Sequence, residues 1–258
     1  MARAPRSNEQ HGWHHVMNRG VARGDTFFAD CDRVEFGRCL GDAAARFGVE
    51  IHAYCLMPNH FHLVVNCPDG NLSAFMQLLV SVYTRHVNDR VGRDGPIFRG
   101  RFRSRMIANE SYLRAAVRYV HRNALALPHV ASVEQYRWSS HRAYLGLRRS
   151  PGWLEVDTLL SMFGDDLERF HGFVAGDDAP ITRAPDPDRL RDAAWLVTEE
   201  IMGDVGRAPQ GLAKTVLHLA LDQREPGLTS PALRRARRQA RLDPRLIEAA
   251  RRALALAA

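Results

Sequence analysis

Apolar positions along the first half of the chain switch between two periods, and each switch marks a new element. Residues 13–18 (WHHVMN) form a short run that ends in Asn18-Arg19-Gly20, residues suited to a turn. From Cys31 to Phe47 the apolar positions Val34, Phe36, Leu40, Ala44 and Phe47 fall close to helical spacing, and Gly48 supplies a stop. Val49 to Met57 and His60 to Asn66 read as two neighbouring strands, divided at Pro58, which biases Met57 to extended geometry. Asn71 to Val91 predicts a long amphipathic helix, with Leu72, Phe75, Met76, Leu79, Val82, Tyr83 and Val87 along one stripe. A turn at Gly92–Gly95 leads to a basic strand from Ile97 to Ile107. Asn109 then caps a helix running from about Glu110 to Leu127, before Pro128.

The order strand-helix-strand-strand-helix-strand is the split βαβ arrangement of a ferredoxin-like antiparallel sheet, an α+β fold with its helices on one face. One more helix, 110–127, follows the last strand. Beyond Trp138-Ser139-Ser140 the pattern changes. Residues 176–189 are rich in Pro and Asp and read as a linker, and 190–258 shows only helical spacing. The expected organisation is therefore a domain at 1–150, a helical connection and linker at 151–189, and a basic all-helical extension at 190–258. Within that extension, Pro231 to Arg252 carries eight arginines against Asp243 and Glu248. It is either a helix-turn-helix broken at Asp243-Pro244 or a solvated charged face.

Composition narrows the class. With 258 residues, 45% hydrophobic and 25% charged, the chain has an ordinary globular balance. No apolar run approaches the ~20 residues of a membrane helix, and the start lacks the apolar core of a signal peptide. The four cysteines, Cys31, Cys39, Cys55 and Cys67, form no CxxC pair. That argues against a cysteine zinc cluster and suits a reducing cytoplasm. The net charge is +7, and Lys214 is the only lysine, so the basic side is nearly all arginine. Arginine's planar fork matches phosphate, which favours a nucleic-acid partner. Arginine-biased codon usage would give the same composition.

Three constellations could carry chemistry. His60 and His62 flank Phe61 in a strand, and a period of two puts both imidazoles on one face, as ligands for a divalent cation or as a half-buried polar pair. Tyr119 and Asn123 stand four apart on the helix 110–127. A tyrosine hydroxyl, with an ordinary pKa of about 10, is a useful nucleophile only toward a strongly polarised electrophile. Asn123 offers a neutral oxygen one turn away, and a packed tyrosine at the core rim is the plainer reading of Tyr119. Arg99, Arg101, Arg103 and Arg105 alternate with Phe98, Phe102 and Met106 along 97–107, which predicts one arginine face and one core face. Few acids lie nearby in sequence, so a phosphate backbone is the natural partner, and Arg118 and Arg122 extend the patch. Tyr83 lies on the apolar stripe of its helix and is expected to pack. Cys55 and His52 read as core and rim, and His121 is expected to point away from Tyr119.

Taken in order, MPNHFHLVV (57–65), residues 74–104, YLRAAVRYVHRNAL (112–125) and YRWSSHRAYLG (136–146) resemble the tyrosine HUH transposases of insertion sequences. The resemblance is greatest to the REP-associated tyrosine transposases. HHVMNRGVARGDTFF (14–28) and IHAYCLMPNH (51–60) add to it, so that it covers about residues 12–150. It implies the HUH endonuclease fold and cleavage of single-stranded DNA. By position it implies His60, His62 and Asn123 as ligands of Mg²⁺ or Mn²⁺, and Tyr119 as the nucleophile that forms a 5′-phosphotyrosine. The implied partner is single-stranded or hairpin DNA of a palindromic repeat, the implied setting the nucleoid, and relatives include both monomers and homodimers. Where the family pattern runs NPV after the tyrosine, this chain has Asn123-Ala124-Leu125. Two other functions share these residues: an HUH nickase without transposition, and a sequence-specific DNA-binding protein that has lost cleavage.

Overall fold

A computed structural model describes residues 10–176, 209–224 and 243–257, with isolated positions between them. The chain divides into two compact units, one of Met1–Ala108 with Val120–Asp177, the other of Asn109–Tyr119 with Asp178–Ala258. The first unit is built on β1 (Gly12–Arg19), α1 (Asp30–Phe47), β2 (Glu50–Met57), β3 (His60–Cys67), α2 (Leu72–Val91) and β4 (Arg103–Ile107). The strands form one antiparallel sheet in the order β2-β3-β1-β4. This is the ferredoxin-like arrangement predicted from the pattern of elements.

One sheet face is the core. Val16, Tyr54, Leu56, Phe61, Leu63 and Val65 are buried there in one cluster with Phe36 and Leu40 of α1 and Phe75, Leu79 and Tyr83 of α2. Both helices end at a glycine in the left-handed region, Gly48 with φ 61° and Gly92 with φ 65°, where a side chain would be strained. Asp32, buried at the start of α1, joins the two helices. Its carboxylate accepts the Phe28 and Ala29 amides, both at 2.8 Å, and a bidentate pair from Arg90 of α2 at 2.7 and 2.8 Å.

The basic strand is shorter than its alternation predicts. Only Arg103–Ile107 pairs regularly with β1, Met17 facing Arg103. The stretch before it meets the chain just beyond β1 through a Gly20–Phe98 bridge and an Arg99 amide bond to the Arg19 carbonyl at 2.9 Å. Three steps along β1, from Met17 to Gly20, thus match five on the other side, from Phe98 to Arg103. Two residues are looped out, next to Gly100, and the arginine row breaks there. Met106, expected in the core, is 37% exposed on this edge strand.

The other edge, along β2, is covered. Ser139 bridges Cys55, the Leu56 amide donates to the Trp138 carbonyl, and the Ser140 amide donates to the Tyr54 carbonyl, the last two at 2.9 Å. The Tyr136 hydroxyl adds a bond to the Leu56 carbonyl at 2.6 Å. The segment 136–140 therefore acts as a strap along an edge that would otherwise be open. Residues 151–176, expected to lead away from the domain, belong to the first unit. They form α5 (Asp157–Ser161) and α6 (Leu167–Ala175), after the short α4 (His141–Tyr144), and Leu159, Phe163, Phe170 and Val174 are buried. Phe170 stacks on Tyr144 with ring centroids 4.7 Å apart.

The helix after β4 is α3 (Glu110–Arg122), capped by Asn109, whose Oδ1 accepts the Tyr112 amide at 2.8 Å. It tightens into a 3-10 turn over Asn123–Ala126 instead of continuing to Leu127. The second unit contains α7 (Pro209–Arg224) and α8 (Arg245–Ala257), which pack together. Val216, Leu219 and Ala220 are buried on one, Leu246, Ala249, Ala250 and Ala253 on the other, at three- and four-residue steps. The expected linker at 177–189 and most of 225–242 lie outside the described residues. No helix among the described residues is long and apolar enough to cross a membrane.

Candidate active site

The sheet face opposite the core carries the histidines. Register places His60 across from Arg19 and His62 across from Met17, while the intervening Phe61 faces the core. His60 is 6% exposed and His62 fully buried, with ring centroids 5.1 Å apart and planes at 87°. The two Nδ1 atoms are held from outside the pair. His60 Nδ1 lies 2.7 Å from Asn59 Oδ1, and His62 Nδ1 lies 2.9 Å from His15 Nε2. Asn59 Oδ1 can only accept, so His60 Nδ1 carries the proton and its Nε2 carries the lone pair, the form that binds metal.

The other proposed ligand, Asn123, opens the 3-10 turn and is buried. That turn packs against β2, the neighbour of β3 in the sheet. His121 is also buried, and its Nε2 lies 2.7 Å from Ser140 Oγ of the strap. His60, His62 and Asn123 all belong to the first unit. Tyr119 is buried on α3 and groups with the second unit, whose first segment ends at that residue. Tyr83, by contrast, is a packing residue. It is fully buried, donates to the Thr26 carbonyl at 2.6 Å, and burial pushes its hydroxyl pKa far up.

Residues 9–123 match the family described as transposase, IS200-like. Over this stretch the chain is similar to the IS200-like transposases. The match opens just before β1 and closes on Asn123, so it spans both histidines and Tyr119. Among solved structures, the chain is similar to a REP-associated tyrosine transposase bound to a REP hairpin. The identity is 19%, the TM-score 0.50, and the alignment covers 61% of this chain and 93% of that one. That likeness bears on the fold. No curated protein matches the chain.

The donor set of His60, His62 and Asn123 suits a hard or borderline divalent ion with open positions. Two imidazoles and an amide oxygen are neutral donors, and no group of three or more His, Cys, Asp or Glu residues able to hold a metal occurs among the described residues. Arg103 and Arg105 stand on the histidine face, across from Met17 and His15. Arg99 and Arg101 are exposed on the looped-out stretch, and Arg101 lines a groove of about 840 Å³ with α2. Arg118 is buried. Arg122 is half-buried and hydrogen-bonds the Val174 carbonyl at 3.1 Å and the Ala175 carbonyl at the end of α6. Two residues of this site escaped sequence reasoning. His15 is one of a histidine doublet, and nothing in a doublet says which ring turns toward β3. Ser140 sits in a motif whose link to β2 no local spacing reveals.

Proposed function

We propose that the chain is a metal-dependent single-strand DNA endonuclease and strand transferase acting at hairpin or palindromic repeat DNA. The observation that carries this reading is the His60–His62 pair on the face of β3 opposite the core, each Nδ1 held in a hydrogen bond, within the stretch that matches the IS200-like transposases. His60, His62 and Asn123 would hold Mg²⁺ or Mn²⁺. That ion supplies Lewis-acid polarisation of a phosphoryl oxygen.

Tyr119 is the nucleophile. Its hydroxyl oxygen forms a bond to the phosphorus, the bond from phosphorus to O3′ breaks, and the hydroxyl proton leaves as the 3′-OH is formed. The 5′ end is then held as a phosphotyrosine. A 3′-OH from another strand attacks the same phosphorus and returns the tyrosine, so the number of phosphodiester bonds is conserved and no ATP is consumed. Arg103 and Arg105 lie on the histidine face and take the backbone phosphates, with the exposed Arg99 and Arg101 extending the basic surface, whereas Arg118 is buried and is not part of it. Arg122, whose guanidinium meets two carbonyls of the protein, has the smallest share. The hairpin in the similar transposase structure supports the choice of DNA. Such a substrate makes the nucleoid the working place.

The test is incubation of the full chain with labelled single-stranded hairpin oligonucleotides from its gene's flanks, with Mn²⁺, Mg²⁺ or chelator, resolved on a denaturing gel. A metal-dependent covalent band that disappears in Tyr119→Phe, while the native-gel shift remains, is the expected result. A band surviving in Tyr119→Phe assigns the nucleophile elsewhere. A shift without any band favours a DNA-binding protein that has lost cleavage. Cleavage without joining of a second 3′-OH strand favours a nickase.

A further inference from the structure

The histidine face contains a third imidazole that neither the motif nor the family match singles out. His15 lies on β1, two residues from Met17, which stands directly across from His62. Its ring is 3% exposed and nearly parallel to that of His62, at 11° with centroids 5.1 Å apart, and its Nε2 is 2.9 Å from His62 Nδ1. Two imidazole nitrogens at that distance share one proton, so one must donate and the other accept. The direction matters. If His15 donated, His62 would carry its proton on Nε2 and could not use that nitrogen as a ligand. If His15 accepts, His62 Nδ1 carries the proton and Nε2 carries the lone pair, the same form that Asn59 imposes on His60.

We infer that His15 is a positioning residue for the metal centre: it accepts the Nδ1 proton of His62 and so holds His62 in the tautomer whose Nε2 binds the ion. The inference rests on the reading of His60 and His62 as ligands given above. Histidine ligands generally donate their second N–H to a carboxylate, a carbonyl or water, which sets ring orientation and tautomer. Here the acceptor is a neutral imidazole on the neighbouring strand. It orients His62 without adding a negative charge to a face that carries Arg103 and Arg105 and would meet phosphate. The pairing also ties the site to β1, the central strand between β3 and β4.

The test uses the full chain with ¹⁵N-labelled histidine, free of metal, and reads the His62 tautomer from long-range nitrogen–proton correlations. His62 protonated on Nδ1 in the wild type is expected, with a shift toward the Nε2-protonated form in His15→Leu. A wild-type His62 protonated on Nε2 overturns the inference. Mn²⁺ titration of the same samples supplies a second readout. His15→Leu is expected to weaken binding about 10- to 100-fold, and His15→Gln, whose amide oxygen can accept the same proton, to recover most of that loss. Equal Mn²⁺ affinity in all three proteins means that His15 only fills space, and overturns the inference. Pulsed EPR of bound Mn²⁺ is expected to count two coordinated imidazoles; three in the wild type and two in His15→Leu would make His15 a ligand instead. If the wild type binds no Mn²⁺, the metal reading of the site falls. The tautomer, measured without metal, still decides the direction of the His15–His62 bond. Should His15→Leu fail to fold, the wild-type tautomer and His15→Gln carry the same decision.

Discussion

His121 Nε2 lies 2.7 Å from Ser140 Oγ, and the same oxygen accepts the Tyr54 amide at 2.9 Å. One hydroxyl thus joins the end of α3 to the edge strand β2. Asn123 follows two residues after His121, so this contact sets the height of the 3-10 turn against the sheet. Ser140→Ala is expected to cost about 1–3 kcal/mol, because it leaves buried polar groups unsatisfied. It should also weaken Mn²⁺ binding by displacing Asn123. Urea unfolding and Mn²⁺ titration check the two parts separately. Lost stability with unchanged affinity would confine the contact to a structural role.

Arg103 and Arg105 share a face with His60 and His62 because all four pair, directly or through Met17 and Arg19, with the same set of β1 positions. Replacing both by Gln is expected to weaken single-strand binding and to flatten its salt dependence by roughly 0.7 in log-log slope per lost phosphate contact. Binding isotherms between low and moderate salt measure it. An unchanged slope would remove these two arginines from the DNA interface.

Acid should destabilise the first unit before its carboxylates titrate. Burial holds both His52 and His141 down to about 4, with the neighbouring His171 adding to the effect at His141 and Glu50 opposing it at His52. In the unfolded chain both titrate near 6.5. Folded values below unfolded ones mean that the stabilisation is complete above about pH 6.5 and is lost as pH falls toward 4, by up to about 1.4 kcal/mol per pH unit for each histidine. Melting temperatures from pH 7.5 to 4.5 should fall through that window. His141→Gln should make the fall shallower.

Asp32 is a buried anion with two backbone amides and Arg90 on its carboxylate. Asp32→Ala is expected to cost roughly 3 kcal/mol, mainly from the amides and guanidinium left without their acceptor. Chemical denaturation gives the value. The covalent-adduct assay, run well below the unfolding midpoint, should be little changed, since Asp32 lies on the helix side of the sheet.

Much of this could be read in the chain because period and punctuation agree. The stripe of α2, the stops at Gly48 and Gly92, and the division at Pro58 specify elements locally, and their order leaves few topologies. The HxH spacing likewise puts His60 and His62 on one face wherever the strand lies. What local pattern could not show was pairing. The arginine alternation from 97 to 107 suggests one straight strand, yet Phe98 follows Gly20 into the core and two residues are looped out before Arg103. His15 and Ser140 act through partners 47 and 86 positions away, His62 and Tyr54, so their roles emerge only when β1 and the strap are laid beside β3 and β2.

The strap along β2 bears on how the domain can be isolated. The family match closes at Asn123, and a polypeptide ended there would keep all four strands, both core helices, and the histidine pair. It would also lose Trp138, Ser139 and Ser140, and with them the hydrogen bonds that satisfy Tyr54 and Leu56. β2 is nearly all buried and apolar along Ile51–Met57, with no charged residue to discourage a second strand from pairing with it. Such a fragment is a template for intermolecular sheet growth. A well-behaved unit must therefore extend past Ser140, and insolubility of one that stops at Asn123 would report an uncovered edge rather than a failed fold.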